Sequence, residues 1–197
     1  MKKIIIATKN KGKAKEFTEF FSAYGIQVLS LLDLSKNIPD IEETGTTFEE
    51  NAALKAEQIS ALFEIPVLAD DSGLVVDALE GEPGVYSARY AGKEKNDKAN
   101  VDKVLTNMIG IPVEKRTARF VCVLAVAAPG EKTILNRGVC EGTIAIEPKG
   151  ENGFGYDPIF IPHNYVKSMA ELTPAEKSEI SHRKNAIVQL DAWIQKL

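Results

Sequence analysis

Stretches with strand-like and helix-like spacing of apolar residues follow one another along the chain. Apolar runs of strand length lie at Lys3–Ala7, Ile26–Leu32 and Ile65–Leu68, and such short runs are typical of buried strands. Two longer strand patterns, Thr117–Ala128 and Gly138–Ile146, are joined by a connection that contains a Pro-Gly pair. We predict that these two strands form an antiparallel pair.

Capping residues mark helix starts ahead of apolar residues at helical spacing. Thr47–Glu50 and Thr173–Glu176 are capping boxes, and Asn96 begins a further helix. A first helix follows the strand at Lys3–Ala7 and ends at Gly25. The residues expected to face the core are Phe17, Phe20, Phe21 and Tyr24 in this helix, Leu54, Ile59 and Leu62 in the second, Val101, Val104, Leu105 and Met108 in the third, and Ile187, Leu190 and Ile194 in the last.

Two adjacent acids, Asp70 and Asp71, separate the apolar run Ile65–Leu68 from a second run, Leu74–Val76. Carboxylates are costly to bury, so a pair between two buried segments is unusual. We predict that they lie at the C-terminal end of a strand, ahead of a Ser-Gly turn, where side chains face a crevice. There they could hold a divalent cation or accept a proton from water. An Asx-turn that caps the following backbone is the alternative.

A polar segment rich in lysine, Thr8–Lys13, joins the first strand to the first helix. Backbone N–H groups at a helix N-terminus and the helix dipole favour a phosphate at such a place. The segment lacks the glycines and the Gly-Lys-Ser/Thr ending of a Walker loop. A solvated helix start with scattered lysines is the alternative interpretation.

Three other stretches carry polar or aromatic residues of interest. The loop at 37–45 contains the acids Asp40, Glu42 and Glu43, and Lys55 follows on the next helix, where it could also be an ordinary surface lysine. In Gly153–Phe160, two glycines flank an aromatic residue that could stack on a flat ring or fill the core. The remaining candidates are Lys177 and Ser181-His182-Arg183, where the histidine is either a structural hydrogen-bonding group or part of a cleft.

Composition limits the class of protein. The 197 residues have a net charge of −4, which argues against a protein that coats DNA or RNA. The apolar run after the N-terminal Met-Lys-Lys is too short for a signal peptide or a membrane span. The two cysteines, Cys122 and Cys140, lie in apolar segments without metal-ligand spacing, which favours a reduced, cytoplasmic protein.

Taken together, five motifs resemble those of the inosine triphosphate pyrophosphatase family, and their order and spacing are specific to it. The resemblance extends from Lys3 to about Leu190. The motifs are Thr8-x-Asn10-x-x-Lys13, Glu42-Glu43-Thr44-Gly45, Asp70-Asp71-Ser72-Gly73-Leu74, Phe154-Gly155-Tyr156-Asp157-Pro158 and Ser181-His182-Arg183. The family often has glycine at the position of Lys9.

The resemblance implies an α/β fold with an elongated mixed β-sheet flanked by helices, in one two-lobed domain over residues 1–197 with a central substrate cleft. It also implies a homodimer that uses Mg²⁺. The implied reaction is hydrolysis of ITP, dITP and XTP, rather than ATP or GTP, to the monophosphate and pyrophosphate. The implied partners are therefore small purine nucleotides, with neither a nucleic acid polymer nor a membrane.

The resemblance also assigns roles to residues. Asp71 is the catalytic base, and Glu43 and Asp71 hold the metal, with Glu42 as a less favoured acid. The triphosphate is bound by Thr8, Lys9, Asn10, Lys11, Gly12, Lys13 and Lys55, with Ser72 nearby. The purine is bound by Phe154, Gly155, Tyr156, Asp157, Lys177, His182 and Arg183, with Phe154 stacked on the ring.

Two other functions compete with this interpretation. A Maf-like pyrophosphatase that acts on dTTP, UTP or a modified nucleotide would have a related architecture, but the Phe154–Asp157 and Ser181–Arg183 motifs argue against it. A catalytically silent nucleotide-binding protein is the second, and the intact acidic cluster argues against that.

Overall fold

The computed structural model describes residues 2–34, 38 and 41–195, so Asp40 of the acidic loop lies outside the described residues. In this part of the chain there are six strands: β1 (Lys2–Ile6), β2 (Ile26–Ser30), β3 (Val67–Val76), β4 (Thr117–Ala127), β5 (Ile134–Ile144) and β6 (Phe160–Pro162). They form one sheet in the order β2-β1-β3-β4-β5-β6. β1 runs parallel to β2 and β3, whereas β5 and β6 are antiparallel. The predicted mixed sheet is therefore confirmed.

The described residues also form six α-helices: α1 (Lys11–Ser22), α2 (Phe48–Phe63), α3 (Asp97–Asn107), α4 (Pro174–Ile180), α5 (His182–Ile187) and α6 (Asp191–Ile194). Both predicted capping boxes are confirmed at the starts of α2 and α4, and Asn96 caps α3 through its side chain. None of the described helices is long and apolar enough to cross a lipid bilayer.

The expectation of a turn at Ser72-Gly73 is wrong, because β3 continues through both acids and through this pair. Gly73 serves a different purpose. A Cβ at this position would collide with the Ser87 hydroxyl and lie 2.5 Å from the Gly84 carbonyl oxygen. The glycine therefore lets a neighbouring segment approach the strand, and the apolar runs on either side belong to one strand.

Three further expectations need correction. Leu62 is 47 % exposed, because the buried face of α2 is formed by Ala52, Ala56 and Ile59 at helical spacing. Tyr24 is 43 % exposed, because it lies beyond the end of α1. The polar segment after β1 is also shorter than expected, since α1 already begins at Lys11.

The chain folds as two compact units. The first comprises Met1–Asp71, Val123–Asn136 and Gln189–Leu197, and the second comprises Ser72–Cys122 and Arg137–Val188. Buried residues of the first unit include Ile4, Ile6, Phe17, Phe21, Ile59, Leu68, Leu124, Leu190 and Ile194. The core of the second includes Leu74, Val76, Val101, Val104, Met108, Phe120, Ile159, Phe160, Met169 and Leu172.

Candidate active site

Parallel pairing brings the end of β1 beside the start of β3 in the first unit. Ile6 lies opposite Leu68, and the Ala7 N–H donates to the Leu68 carbonyl oxygen over 2.7 Å. The residues that follow Ile6 therefore lie next to the residues that follow Leu68. This register places the lysine-rich segment next to the acid pair of β3.

The segment between β1 and α1 is organised as a helix cap. The Asn10 side chain accepts a hydrogen bond from the Lys13 N–H over 3.0 Å, and the Thr8 hydroxyl accepts one from the Asn10 N–H over 3.2 Å. Lys11, Gly12 and Lys13 thus belong to the first turn of α1. The backbone N–H groups of a first turn have no carbonyl acceptor within the helix. Lys9 is exposed and donates to the Ile38 carbonyl oxygen over 3.3 Å.

The two carboxylates of β3 have different lysine neighbours. Successive side chains of a strand alternate in direction, so Asp70 and Asp71 are directed away from each other. Asp70, with 1 % of its side chain exposed, pairs with Lys13 of α1 over 2.8 Å. Asp71 is 3.6 Å from the Lys55 ammonium of α2. Burial of both acids is thus compensated by cations that two helices supply.

Lys55 is not the surface lysine that its sequence context also allowed. Only 12 % of its side chain is exposed, and its ammonium contacts Glu43 over 3.0 Å and the Asp70 carbonyl oxygen over 2.6 Å. Glu42, in contrast, is exposed. Glu43 and Asp71 therefore converge on one buried ammonium group.

The loop that carries Glu43 is anchored to the start of α2. The Gly45 N–H donates to the Asn51 side chain over 2.8 Å, and the Thr46 N–H donates to the Glu50 carboxylate over 2.7 Å. A Cβ on Gly45 would lie 2.6 Å from the Glu50 Cβ, so the loop rests directly on the helix. The sequence signal for this anchor was the capping box, but the contribution of Asn51 was missed.

Burial and neighbouring charges act in opposite directions on the pKa values of Asp71 and Lys55. Burial raises the pKa of the Asp71 carboxyl, and the Lys55 and Lys13 charges only partly oppose this. For Lys55, burial acts to lower the pKa, but the charges of Asp71, Asp70 and Glu43 outweigh it, so the pKa is raised. Lys55 therefore stays protonated, whereas Asp71 takes up a proton more readily than an ordinary aspartate.

The carboxylates of Glu43 and Asp71 have the chemistry of a magnesium site. Both supply hard oxygen donors, which Mg²⁺ prefers, and the Lys55 ammonium between them shows that this place favours a cation. Within the described part of the chain, no group of three or more His, Cys, Asp or Glu side chains is arranged to hold a metal. Mg²⁺ usually retains several waters and binds through one or two carboxylates, so a two-carboxylate set fits this ion.

In the second unit, the turn around Phe154 is held by buried polar groups. Asp157 accepts from the Phe154 N–H over 2.9 Å and pairs with Lys177 over 2.7 Å. The Lys177 ammonium also lies 4.8 Å from the centre of the Phe154 ring. Tyr156 is buried, and its hydroxyl donates to the Ser87 carbonyl oxygen over 2.7 Å. Phe154 and Gly155 are partly exposed, whereas Tyr156 and Asp157 are buried and make hydrogen bonds that hold the turn.

The start of α5 carries the other polar candidates of the second unit. Ser181 is the N-cap residue, and His182 and Arg183 are both buried. The His182 ring stacks on Phe120 with 5.0 Å between centroids, and an Arg183 guanidinium nitrogen donates to the Ser72 hydroxyl over 3.1 Å. Both side chains are thereby held in place by neighbours within the unit.

The structure thus gathers the predicted site residues into two groups. In the first unit they are Thr8, Lys9, Asn10, Lys11, Gly12, Lys13, Glu43, Lys55 and Asp71. In the second they are Ser72, Phe154, Gly155, Tyr156, Asp157, Lys177, His182 and Arg183.

Sequence reasoning missed Asp97, whose carboxylate accepts from the Gly155 N–H over 2.8 Å. Its only sequence signal was its place after the capping residue Asn96.

Comparison with known proteins identifies the family of the chain. The Ham1 family model matches residues 4–193. A protein of Oceanobacillus iheyensis named dITP/XTP pyrophosphatase is 65 % identical over 194 residues, 98 % of each chain. A protein of Halalkalibacterium halodurans with the same name is 56 % identical over 98 % of this chain and all of its own.

Solved structures show the same fold. The Ham1 protein of Staphylococcus aureus is 46 % identical and superposes with a TM-score of 0.88 over 99 % of each chain. The HAM1 protein of Coxiella burnetii is 42 % identical, with a TM-score of 0.89 over the whole of both chains. With a family match over nearly its full length and relatives of this similarity, the chain belongs to the Ham1 family.

Proposed function

We propose that this protein hydrolyses the non-standard purine nucleoside triphosphates ITP, dITP and XTP to the monophosphate and pyrophosphate, and so removes them from the nucleotide pool. The observation that carries this proposal is the buried carboxylate of Asp71, held between Glu43, Lys55 and Lys13. The dITP/XTP pyrophosphatases that match the chain at 56–65 % identity support the choice of substrate.

The triphosphate binds at the N-terminus of α1. The Asn10 side chain accepts from the Lys13 N–H. The N–H groups of Lys11 and Gly12 lie in the same first turn, where no carbonyl of the helix can accept from them, and such groups bind phosphate. The ammonium groups of Lys9, Lys11 and Lys13 add positive charge, and the buried Lys55 contributes another. These groups attract an anion to the segment after β1, which lies next to the acid pair of β3.

Asp71 acts as the general base. It accepts a proton from the water that attacks the phosphorus atom next to the nucleoside, and the bond to the departing pyrophosphate breaks. A base works best when its pKa lies near the working pH, and burial moves the pKa of Asp71 in that direction. Asp70, paired with Lys13, has the supporting role of fixing that lysine.

Mg²⁺ is the metal that we propose for this reaction, with Glu43 and Asp71 as its protein ligands. When bound, it neutralises charge on the phosphate oxygens. Lys55 already contacts both carboxylates, so it keeps them together and balances their charge. Full activity after exhaustive chelation would contradict the metal requirement.

The base is recognised in the second unit. Phe154 stacks on the purine ring, and Lys177, His182 and Arg183 donate to the 6-oxo group. Adenine carries an amino donor at that position, which would leave donors facing a donor. An unpaired buried polar group costs about 1–3 kcal/mol, which corresponds to roughly tenfold discrimination per contact.

We further propose a cytoplasmic homodimer that works as one domain on free nucleotides, without a nucleic acid polymer or a membrane as partner. The family resemblance supports the dimer. Cys122 and Cys140 are buried and form no disulfide, which fits a reducing compartment.

Pyrophosphate release from ITP, dITP, XTP, GTP, ATP, dTTP and UTP, measured in parallel, tests the proposed activity. We expect kcat/KM for ITP, dITP and XTP to exceed that for ATP and GTP by at least about tenfold, the discrimination of a single mispaired contact. A preference for dTTP or UTP would instead support a Maf-like activity. Binding of nucleotides without any release of pyrophosphate would support a silent binding protein.

A further inference from the structure

We propose that Asp97 is a positioning residue for purine binding, because its carboxylate fixes the turn that carries Phe154. We call residues Gly153–Tyr156 the stacking turn. This inference rests on the proposed role of Phe154 as the residue that stacks on the base. Asp97 itself touches the backbone of the turn, at Gly155.

The backbone of the stacking turn needs outside contacts to define it. Gly153 and Gly155 have φ angles of 80° and 61°. Glycine adopts positive and negative φ angles about equally readily, so the sequence alone does not fix this conformation. Two consecutive N–H groups in the turn are each held by a carboxylate. The Phe154 N–H donates to Asp157 over 2.9 Å, and the Gly155 N–H donates to Asp97 over 2.8 Å.

Asp97 is well placed to hold the turn because its own helix start is fixed. Asn96 caps α3 by accepting from the Ala99 N–H over 3.0 Å. The Asn100 side chain then ties this helix turn to the preceding segment, accepting from the Ala91 N–H over 2.7 Å. The residues on either side of Asp97 are therefore fixed by hydrogen bonds, which holds Asp97 beside the stacking turn.

The other end of the stacking turn is tied to the same segment. The Tyr156 hydroxyl donates to the Ser87 carbonyl oxygen over 2.7 Å, and Ser87 lies four residues before Ala91. The turn is therefore attached at Tyr156 to this segment directly and at Gly155 through Asp97. The contact with Gly155 is the one that α3 supplies to the turn, through Asp97.

These contacts restrict the Phe154 ring before a substrate arrives. The Lys177 ammonium lies 4.8 Å from the centre of the ring, and the backbone on both sides of Phe154 is hydrogen-bonded. A ring that is already in place loses less conformational freedom when a base stacks on it. Loss of the Asp97 contact should therefore weaken binding of every purine substrate and leave the chemical step at Asp71 unchanged.

Kinetics on three variants test this role. For Asp97→Ala we expect KM for ITP and for XTP to rise by about three- to tenfold, the change that the loss of one hydrogen bond produces, with kcat unchanged. Asp97→Asn keeps an oxygen that accepts from Gly155, so it should restore KM. Asp102→Ala removes the same charge from an exposed position on the same helix, and should behave as the wild type.

Hydrogen exchange at the Gly155 amide supplies a readout that does not depend on activity. We expect faster exchange in Asp97→Ala than in the wild type and in Asp97→Asn. Each protein is measured at the same interval below its own melting temperature, so that differences in global stability do not contribute. If the wild type fails to hydrolyse ITP, the proposed function fails, while exchange still tests the contact. An unchanged exchange rate, an unchanged KM in Asp97→Ala, or an Asn variant as impaired as the Ala variant would each overturn the proposal.

Discussion

Asp71 is buried in the middle of a strand with a raised pKa, and this single carboxylate carries the proposed chemistry. Asn has nearly the same shape, but it cannot accept the proton and is a poorer metal ligand. We expect Asp71→Asn to keep the fold and to bind nucleotide while kcat for ITP falls by at least about 100-fold, the lower range for loss of a general base. Steady-state kinetics with circular dichroism as the folding check would measure this.

Asp70→Asn is the matched control for this prediction. Asp70 pairs with Lys13 and is assigned no proton, so its substitution should lower kcat less than that of Asp71. A folded Asp71→Asn variant with a rate near that of the wild type would show that the proposed mechanism is wrong.

The pH dependence of the reaction should report the lysines around Asp71. Burial raises the pKa of Asp71, and Lys55 is the stronger of two charges that oppose this rise. Below its pKa the carboxyl is protonated and cannot act as a base, so kcat falls as the pH decreases through it. Removing the charge in Lys55→Gln raises this pKa further, and the acid limb of the kcat profile should move to higher pH.

Lys15→Gln is the control for the loss of one positive charge, because Lys15 is exposed on α1 and pairs with Glu19. Its acid limb should coincide with that of the wild type. An acid limb of Lys55→Gln that stays in place, or moves to lower pH, would contradict the assignment of that limb to Asp71.

Substitutions in the second unit should separate stacking from recognition of the purine edge. Phe154→Ala removes a stacking surface that every purine shares, so binding of ITP and ATP should weaken alike, by roughly 1–3 kcal/mol. His182→Ala and Arg183→Ala remove donors to the 6-oxo group, so they should mainly reduce the preference for ITP over ATP. Parallel kinetics on both nucleotides measure the contrast, and identical profiles for the three variants would refute it.

At the scale of elements, the position of α5 depends on one glycine of β5. A Cβ on Gly138 would collide with the His182 carbonyl oxygen and the Ala186 nitrogen, and it would lie 2.8 Å from the Asn185 carbonyl carbon. The Asn185 side chain also donates to the Val139 carbonyl oxygen over 2.9 Å. The short helix that presents His182 and Arg183 is thus packed directly on the strand.

Gly138→Ala should therefore displace α5. We expect a loss of stability of about 1–3 kcal/mol, typical of overpacking, together with a reduced preference for ITP over ATP. Gly142→Ala in the same strand would crowd Ile161 and Phe160 instead, so it should destabilise the protein without changing the preference. Urea unfolding and kinetics on both nucleotides distinguish the two, and an unchanged preference in Gly138→Ala would contradict this role of α5.

At the scale of the whole molecule, we expect a homodimer on the basis of the family resemblance. The chain has a mass of 21.5 kDa. Light scattering at micromolar concentration should give twice this mass. A monomer at that concentration would remove the expectation. Activity that is proportional to protein concentration across the dissociation range would show that a single chain suffices for catalysis.

Local sequence signals located most of the elements. The capping boxes at Thr47 and Thr173 act within one helical turn, so their residues alone define the helix starts that the structure confirms. The strands were predictable because a short apolar run bounded by turn residues is typical of a buried strand. Five ordered motifs indicated the family, and the family match over residues 4–193 confirms it.

Contacts between residues distant in sequence were decided only by the tertiary structure. Ser72-Gly73 has the composition of a turn, but β3 continues through it, and the missing side chain of Gly73 leaves room for Ser87. Asp97 contacts Gly155 across 58 positions, and no local pattern records such a contact.

The same division holds for the site. The sequence by itself determined which chemical groups are available: paired acids, lysines near a helix start, and an aromatic residue between glycines. The tertiary structure decided that Lys55 is buried against Asp71, which in turn sets the pKa values of both groups. Residue identity fixes the chemistry that a group can perform, whereas its burial and its charged neighbours depend on how the whole chain packs.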